Sequence, residues 1–223
     1  MTTSPVTERT RSNVVVLPVE RHDVIGLPVW KRGIDILVSA TALLALLPVM
    51  LALSVVIMIE SPGGPFYRHT RVGRAGRTFS CWKFRSMHVD AEEKLVDLLA
   101  HNEANGPIFK LRDDPRRTRL GTALRKTGLD EMPQFWNVLR GDMSIVGPRP
   151  PIVSEVEQYD AWHMQRLRGV PGITGLWQVT PHRQYDFEQM VRLDVEYWDR
   201  MSFWLDLKIM FLTVCTMARG RGS

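Results

Sequence analysis

The stretch that most limits what this chain can become runs from Ile36 to Ile59, ILVSATALLALLPVMLALSVVIMI, without a charged residue. As a helix rising ~1.5 Å per residue, it reaches across a hydrocarbon core of ~30 Å. It is not a cleavable signal, because about 35 residues precede it and no small-residue cleavage motif follows. The 223 residues therefore suit one domain with an anchor.

Two features bear on how the anchor sits. Pro48 stands at its centre, where proline removes a backbone hydrogen bond and kinks a helix. Lys31 and Arg32 lie before it in WKRGID (Trp30 to Asp35), which reads as a membrane-surface anchor; Arg68, Arg71, Arg74 and Arg77 follow it. Cations favour the cytoplasmic side of a membrane. A straight span puts one basic cluster on the wrong side. A re-entrant helix that turns back at Pro48 keeps both on one face. The plainer alternative is a single span with a tolerated proline.

The remaining sequence is globular in composition. Residues 1–29 are polar, with one apolar patch at Val14 to Leu17, and read as a mobile tail. Residues 30–60 form the membrane helix, and 61–223 a domain at the membrane surface. PFYRHTRVGRAGRTFSCWKFRSM alternates about two glycines and predicts a β-hairpin. Helical periodicity covers Val89 to Asn102, and Gly106 to Leu111 reads as extended. A basic helix over Arg116 to Gly128 is followed by a helix at Met132 to Leu139 and a short strand at Met143 to Gly147. Pro151 to Arg168 is expected as a helix, Pro171 to Arg183 as a loop, and two helices cover Phe187 to Met201 and Ser202 to Ala218. The last carries only Asp206 and Lys208 as charges, which suits either core or the membrane interface. The fold class is thus α+β and mostly helical: a re-entrant membrane helix with a proline break, a small β-hairpin and amphipathic surface helices.

A net charge of +5 points to an acidic partner. Cys81 and Cys215 lie far apart and form no metal-ligand pattern, and the six histidines make no HExxH pair. The chemistry concentrates instead in LDEMPQFW. Pro133 at the first position of a helix places Asp130 and Glu131 just outside its N-terminus, where acids commonly act as caps. Against that reading stand Arg125 five residues upstream, Arg149 stiffened in GPRP, and Arg183 at the end of PGITGLWQVTPHR. Arginine is the usual planar partner of phosphate. Two adjacent carboxylates suit a hard divalent cation, and a carboxylate can attack phosphorus whose charge is neutralised nearby. The set suggests phosphoryl transfer.

From Trp30 to the C-terminus the chain resembles the bacterial sugar transferases, the monotopic phosphoglycosyl transferases. The resemblance rests on KRGID, KFRSM, GPIFKLRDDPRRTRLG, LRKTGLDEMPQFWNVLRGDMSIVGPRPP, PGITGLWQV and RLDVEYWDRMSFWLDLKI. It implies transfer of a sugar 1-phosphate from a nucleotide diphosphate sugar to undecaprenyl phosphate, releasing UMP from a UDP-sugar by a ping-pong route. It implies Asp130 as the nucleophile that carries the phosphosugar, and Glu131 as its support at a Mg²⁺ site. It implies Arg125 as a phosphate contact, with Lys83, Arg149 and Asp194 at further polar positions of the site. It also implies a re-entrant helix broken near Pro48. Where many relatives read GR after QV this chain reads TPHR, so Arg183 is the loosest of these matches. Some relatives carry more membrane spans upstream. The polar start here places the chain with the short members or as a catalytic part.

The resemblance implies a place on the cytoplasmic face of the bacterial inner membrane, with membrane lipid as a partner and a homodimer left open. The GPIFKLRDDPRRTRLG stretch resembles that of hexose 1-phosphate transferases, a likeness that implies UDP-glucose or UDP-galactose as donor. Two rivals remain: a metal-dependent diphosphate hydrolase using Asp130 and Glu131, and a basic membrane-tethered binding module. No groove-reading motif appears, so nucleic acid is not expected as a partner.

Overall fold

The computed structural model describes residues 24–180 and 186–218. Its first element, α1 (Val29–Glu60), is one helix of 32 residues with Pro48 inside it. The break expected at Pro48 is not seen; the helical run continues through it. Burial along α1 is inverted. Its buried residues are Lys31, Asp35, Ser39 and Ile57, whereas Leu37, Leu44, Leu51 and Ile59 are exposed. Steps of four put Lys31, Asp35 and Ser39 on one helix face. That face turns toward the body of the protein. The apolar remainder is exposed or half-buried almost throughout, which suits an apolar surrounding.

WKRGID therefore clamps protein and does not face lipid headgroups. Lys31 Nζ donates to Asp206 Oδ2 at 2.5 Å, with both residues buried. Arg32 donates to the carbonyls of Val138 and Leu139 at 2.6 and 2.7 Å. Asp35 Oδ1 accepts from Ser144 Oγ at 2.9 Å and from the Ile145 N–H at 2.8 Å. The membrane-surface reading of these three side chains is corrected accordingly; Trp30 remains partly exposed, edge-on to Phe203.

Strands β1 (Phe66–Val72) and β2 (Thr78–Phe84) pair as the expected antiparallel hairpin, with His69 opposite Cys81 and Tyr67 opposite Lys83. Alternation puts Tyr67, His69, Arg71, Cys81 and Lys83 on one face. The helix expected from Val89 to Asn102 is reduced to α2 (Leu95–Leu98) and a 3-10 turn through His101. Val89, Val96 and Leu99 stay exposed, so this run lacks the packing that holds a short helix. Residues 106–111 form no regular strand; Glu103 N–H bonds to the Lys110 carbonyl at 2.8 Å.

Helix α3 (Arg119–Thr127) starts at a Thr118 cap, whose Oγ1 accepts the Gly121 N–H, and stops at Gly128 with φ 71°. Gly121 packs so closely that an added Cβ would lie 2.0 Å from the Ser86 carbonyl oxygen. A 3-10 turn, Leu129–Glu131, leads into α4 (Gln134–Arg140). The two carbonyls held by Arg32 belong to the last turn of α4, where carbonyls run short of intrahelical donors; that of Val138 also accepts the Gly141 N–H at 3.0 Å.

Strand β3 (Ser144–Val146) pairs in parallel with β4 (Gly172–Thr174). Between them, the single helix expected over Pro151 to Arg168 is broken into α5 (Val153–Val156) and a 3-10 stretch, His163–Arg168. Asp160 and His163 explain the interruption: each backbone N–H bonds to the other's side chain, which competes with helix continuation. The expected loop over 171–183 contains β4 and α6 (Leu176–Val179). Helices α7 (Phe187–Arg200) and α8 (Phe203–Ala218) lie where expected, and Asp186 caps α7.

The main core joins the hairpin, α4, β3, α7 and α8 through Cys81, Val138, Met143, Val146, Tyr197, Trp198 and Ile209. Each such side chain contributes about 1.5–3 kcal/mol on burial. Helix α8 is core on one side, through Asp206 and Ile209, and open on the other, where Trp204, Phe211 and Val214 are exposed.

Candidate active site

Asp130 and Glu131 occupy the 3-10 turn between α3 and α4. Asp130 is 3% exposed, and its Oδ1 is buried without a hydrogen-bond partner. Glu131 is partly buried and accepts from Lys83 Nζ at 2.5 Å. Neither carboxylate accepts a bond from the first turn of α4, so capping does not account for the pair.

Asn137 of α4 aligns the two sides of this contact. Its Oδ1 accepts the Trp82 N–H at 2.9 Å, and its Nδ2 donates to the Ser80 carbonyl at 2.7 Å. A buried side-chain amide thus extends the β2 edge as a neighbouring strand would, and Lys83 follows one residue later. The same helix carries Glu131 at its approach. Hairpin and dyad are thereby held in register.

The electrostatics divide the two acids. Burial pushes the Asp130 carboxyl up from its ordinary value, and neighbouring Glu131 adds to this while Lys83 and Arg125 oppose it. Burial also acts on Glu131, but Lys83, Arg149 and Arg71 outweigh it and hold that carboxyl low. Arg125 is on α3 and acts on Asp130 through its charge; its guanidinium makes no hydrogen bond among the described residues.

Arg149 follows β3 in the GPRP segment. Its Nη1 lies 3.6 Å from Glu155 Oε1. Its carbonyl faces Arg166 Nη2 at 3.4 Å. Arg166 is fully buried, with Nε donating to Asp194 Oδ2 at 2.8 Å and Nη1 to the Tyr159 hydroxyl at 2.5 Å. Asp194 is therefore paired with Arg166 inside the body and acts on Arg149 only through its charge and through that pair. The structure brings together Asp130, Glu131, Lys83, Arg125 and Arg149; Asp194 supports them from behind. Arg183 lies outside the described residues.

Sequence reasoning missed Arg71, His69, Glu155 and Arg166. Arg71 was grouped with the cations flanking the membrane helix, yet it is 9% exposed and donates to the Pro150 carbonyl at 3.0 Å. Burial, with Arg149 beside it, draws its pKa down to about 10. His69 is pushed down to about 4 by burial and by Arg71 and Lys83, so it is neutral at pH 7. A usable signal existed: the period-2 pattern of a hairpin puts residues 69 and 71 on the face that carries Lys83.

Carboxylates of unequal affinity for protons, ringed by lysine and arginine beside a long apolar helix, suit a site that handles phosphate near a membrane. Comparison with known proteins agrees. The model of the bacterial sugar transferase family matches residues 27–220, and the chain belongs to that family. It is 48% identical over 195 residues to the galactosyl transferase CpsE of Streptococcus agalactiae serotype III (strain NEM316), covering 86% of this chain and 43% of that protein. It is 40% identical over 197 residues to the exopolysaccharide production protein ExoY of Sinorhizobium fredii (strain NBRC 101917 / NGR234), covering 86% and 87%. It is 42% identical over 212 residues to the UDP-glucose:undecaprenyl-phosphate glucose-1-phosphate transferase of Escherichia coli (strain K12), covering 91% and 43%. The chain thus spans less than half the length of two of these relatives and most of ExoY.

Proposed function

We propose that this chain transfers a hexose 1-phosphate, glucose or galactose, from its UDP-sugar to undecaprenyl phosphate in two steps at one site, as the opening membrane reaction of an exopolysaccharide, capsule or O-antigen. In the first, an Asp130 carboxylate oxygen attacks the phosphorus that bears the sugar. The bond from that phosphorus to UMP breaks, and UMP leaves with the bond's electron pair. In the second, a phosphate oxygen of the lipid attacks the same phosphorus and Asp130 departs as carboxylate. The observation that carries this reading is the buried, unpartnered Asp130 Oδ1 beside a Glu131 held by Lys83. An oxygen without a protein partner is free to form a bond to phosphorus, and the ordered cations neutralise the charge that develops there.

Mg²⁺ fits this donor set. Asp130 and Glu131 supply hard oxygen atoms, and among the described residues no group of three or more His, Cys, Asp or Glu surrounds them. Asp130 and Glu131 would hold such a cation by their carboxylate oxygens. When bound it screens phosphate charge; Lys83, Arg125 and Arg149 orient the same oxygens.

The anchor reading is re-entrant. The chain's own body grips both ends of α1: Lys31, Arg32 and Asp35 at one end, and at the other Glu60, whose Oε1 accepts the Leu120 N–H at 2.9 Å. A straight helix of this length runs about 48 Å, and a transbilayer path would separate its ends by the membrane thickness. One surface-bound body meets both ends only if the helix enters and leaves on the same face. Pro48, which cannot donate to the preceding turn, is the place for the bend. The open apolar face of α8 then lies toward lipid.

Membranes carrying the protein are to be incubated with a panel of nucleotide sugars, with and without undecaprenyl phosphate. UMP release and sugar transfer that require the lipid support the proposal. Sugar phosphate released to water without lipid would establish the hydrolase, and binding without turnover the tethered module.

A further inference from the structure

Arg71 sits in the catalytic cluster with half of its guanidinium unused. Nη1 donates to the Pro150 carbonyl at 3.0 Å. Nε is buried and has no partner. Nη2 makes no hydrogen bond among the described residues. Nε and Nη2 form one edge of the planar fork, the edge that grips two oxygens of a phosphate at once. An unmet donor on a buried guanidinium is costly, and the protein places it one residue from Arg149, whose own guanidinium points toward Glu155 and remains partly exposed.

The seam that Arg71 lies on has other fastenings. Val72 N–H bonds to the Pro151 carbonyl at 2.9 Å, and Arg71 bridges to Ile152, so β1 is already fastened to the GPRP segment through backbone alone. The long side chain adds one carbonyl contact to that seam and leaves Nε buried without a partner. It also stands beside the Arg149 guanidinium, and the carboxylates of Glu155 and Glu131 only partly offset that repulsion. Arg71 shares its hairpin face with Lys83, which holds Glu131.

We propose that Arg71 is a substrate-binding residue, whose Nε and Nη2 take a phosphate group of the substrate alongside Arg149. This rests on the phosphoryl-transfer reading of the same site and names a phosphate ligand that neither the sequence reading nor the family likeness assigned. The phosphate can come from the donor's diphosphate or from the lipid acceptor.

The test uses the full chain in detergent, with inorganic pyrophosphate, UDP-glucose and UDP-galactose as probes. Arg71→Lys keeps the charge and removes the fork; Arg71→Gln removes the charge. Each is expected to weaken pyrophosphate binding by about 10-fold or more, the loss of one charge-assisted hydrogen bond, with a melting temperature near wild type. In steady state, a raised KM for the UDP-sugar assigns the phosphate to the donor, and a raised KM for undecaprenyl phosphate assigns it to the acceptor. Pyrophosphate affinity within twofold of wild type in a folded Arg71→Lys protein overturns the proposal. Wild-type protein gives an independent arm: pyrophosphate should protect Arg71 from phenylglyoxal, mapped by peptide mass spectrometry, and unchanged modification also overturns it. If pyrophosphate binding depends on Arg71 while no nucleotide sugar is turned over, this inference stands and the proposed reaction falls.

Discussion

Lys83 Nζ reaches across from the hairpin to Glu131 Oε1 at 2.5 Å, joining residues 48 apart in the chain at the edge of a buried aspartate. This ion pair sets the charge balance of the dyad. Lys83→Met is expected to lower kcat by about 10²- to 10³-fold, the usual cost of losing one preorganised electrostatic contact. Steady-state kinetics of the purified variant, with circular dichroism to confirm the fold, checks this.

The pH dependence carries a sign. In the proposed reaction Asp130 attacks only when ionised, and its pKa is raised by burial and by Glu131, while Lys83 and Arg125 oppose the rise. Activity should therefore fall on the acid side at a higher pH than an ordinary aspartate gives. Glu131→Gln removes a raising charge, so the acidic limb moves down in pH. Lys83→Met removes a lowering charge, so the limb moves up. Profiles of kcat/KM against pH for the residual activities read both directions.

Asp194 and Arg166 form a buried pair behind the GPRP segment. Asp194→Asn or Arg166→Met leaves one buried charge alone and should destabilise the protein by about 3–5 kcal/mol. Replacing both with apolar residues should restore much of the melting temperature without restoring activity, because the Arg149 carbonyl loses its support. A double variant with full activity would remove the positioning role.

Much of this arrangement was legible in the sequence, and its limits are physical. The dyad, Arg125 and Arg149 stand out in short motifs whose chemistry is local, whereas Lys83 enters only through the family resemblance; the structure places all of them near one another. The hairpin and helices α3, α4, α7 and α8 followed from periodicity, caps and glycines. The Val89 to Asn102 helix failed because periodicity cannot say whether an apolar face will find a partner. The Pro151 to Arg168 helix failed because the Asp160–His163 exchange depends on side-chain placement. Arg71 and the inward turn of Lys31, Arg32 and Asp35 were missed for a different reason. A cation beside an apolar helix looks the same whether its partner is a headgroup, a carboxylate or a helix end, and the choice is made in tertiary structure.

The anchor makes its own prediction. With Pro48 intact, an N-terminal tag and the catalytic body should be open to protease from the same face of sealed membrane vesicles. Pro48→Ala restores the missing backbone donor and favours a straight helix, so a fraction of the tags should become accessible from the opposite face. Tags of the unchanged protein found opposite the body would contradict the re-entrant path.

The central claim is that Asp130 carries the sugar phosphate between the two substrates. Its most direct test is rapid quenching of the protein with the UDP-sugar it turns over and no lipid acceptor, followed by intact-mass and peptide mass spectrometry. The account predicts one sugar phosphate bound at Asp130, absent in Asp130→Asn and discharged when undecaprenyl phosphate is added. Confirmed turnover with no adduct at Asp130 at any quench time would contradict it.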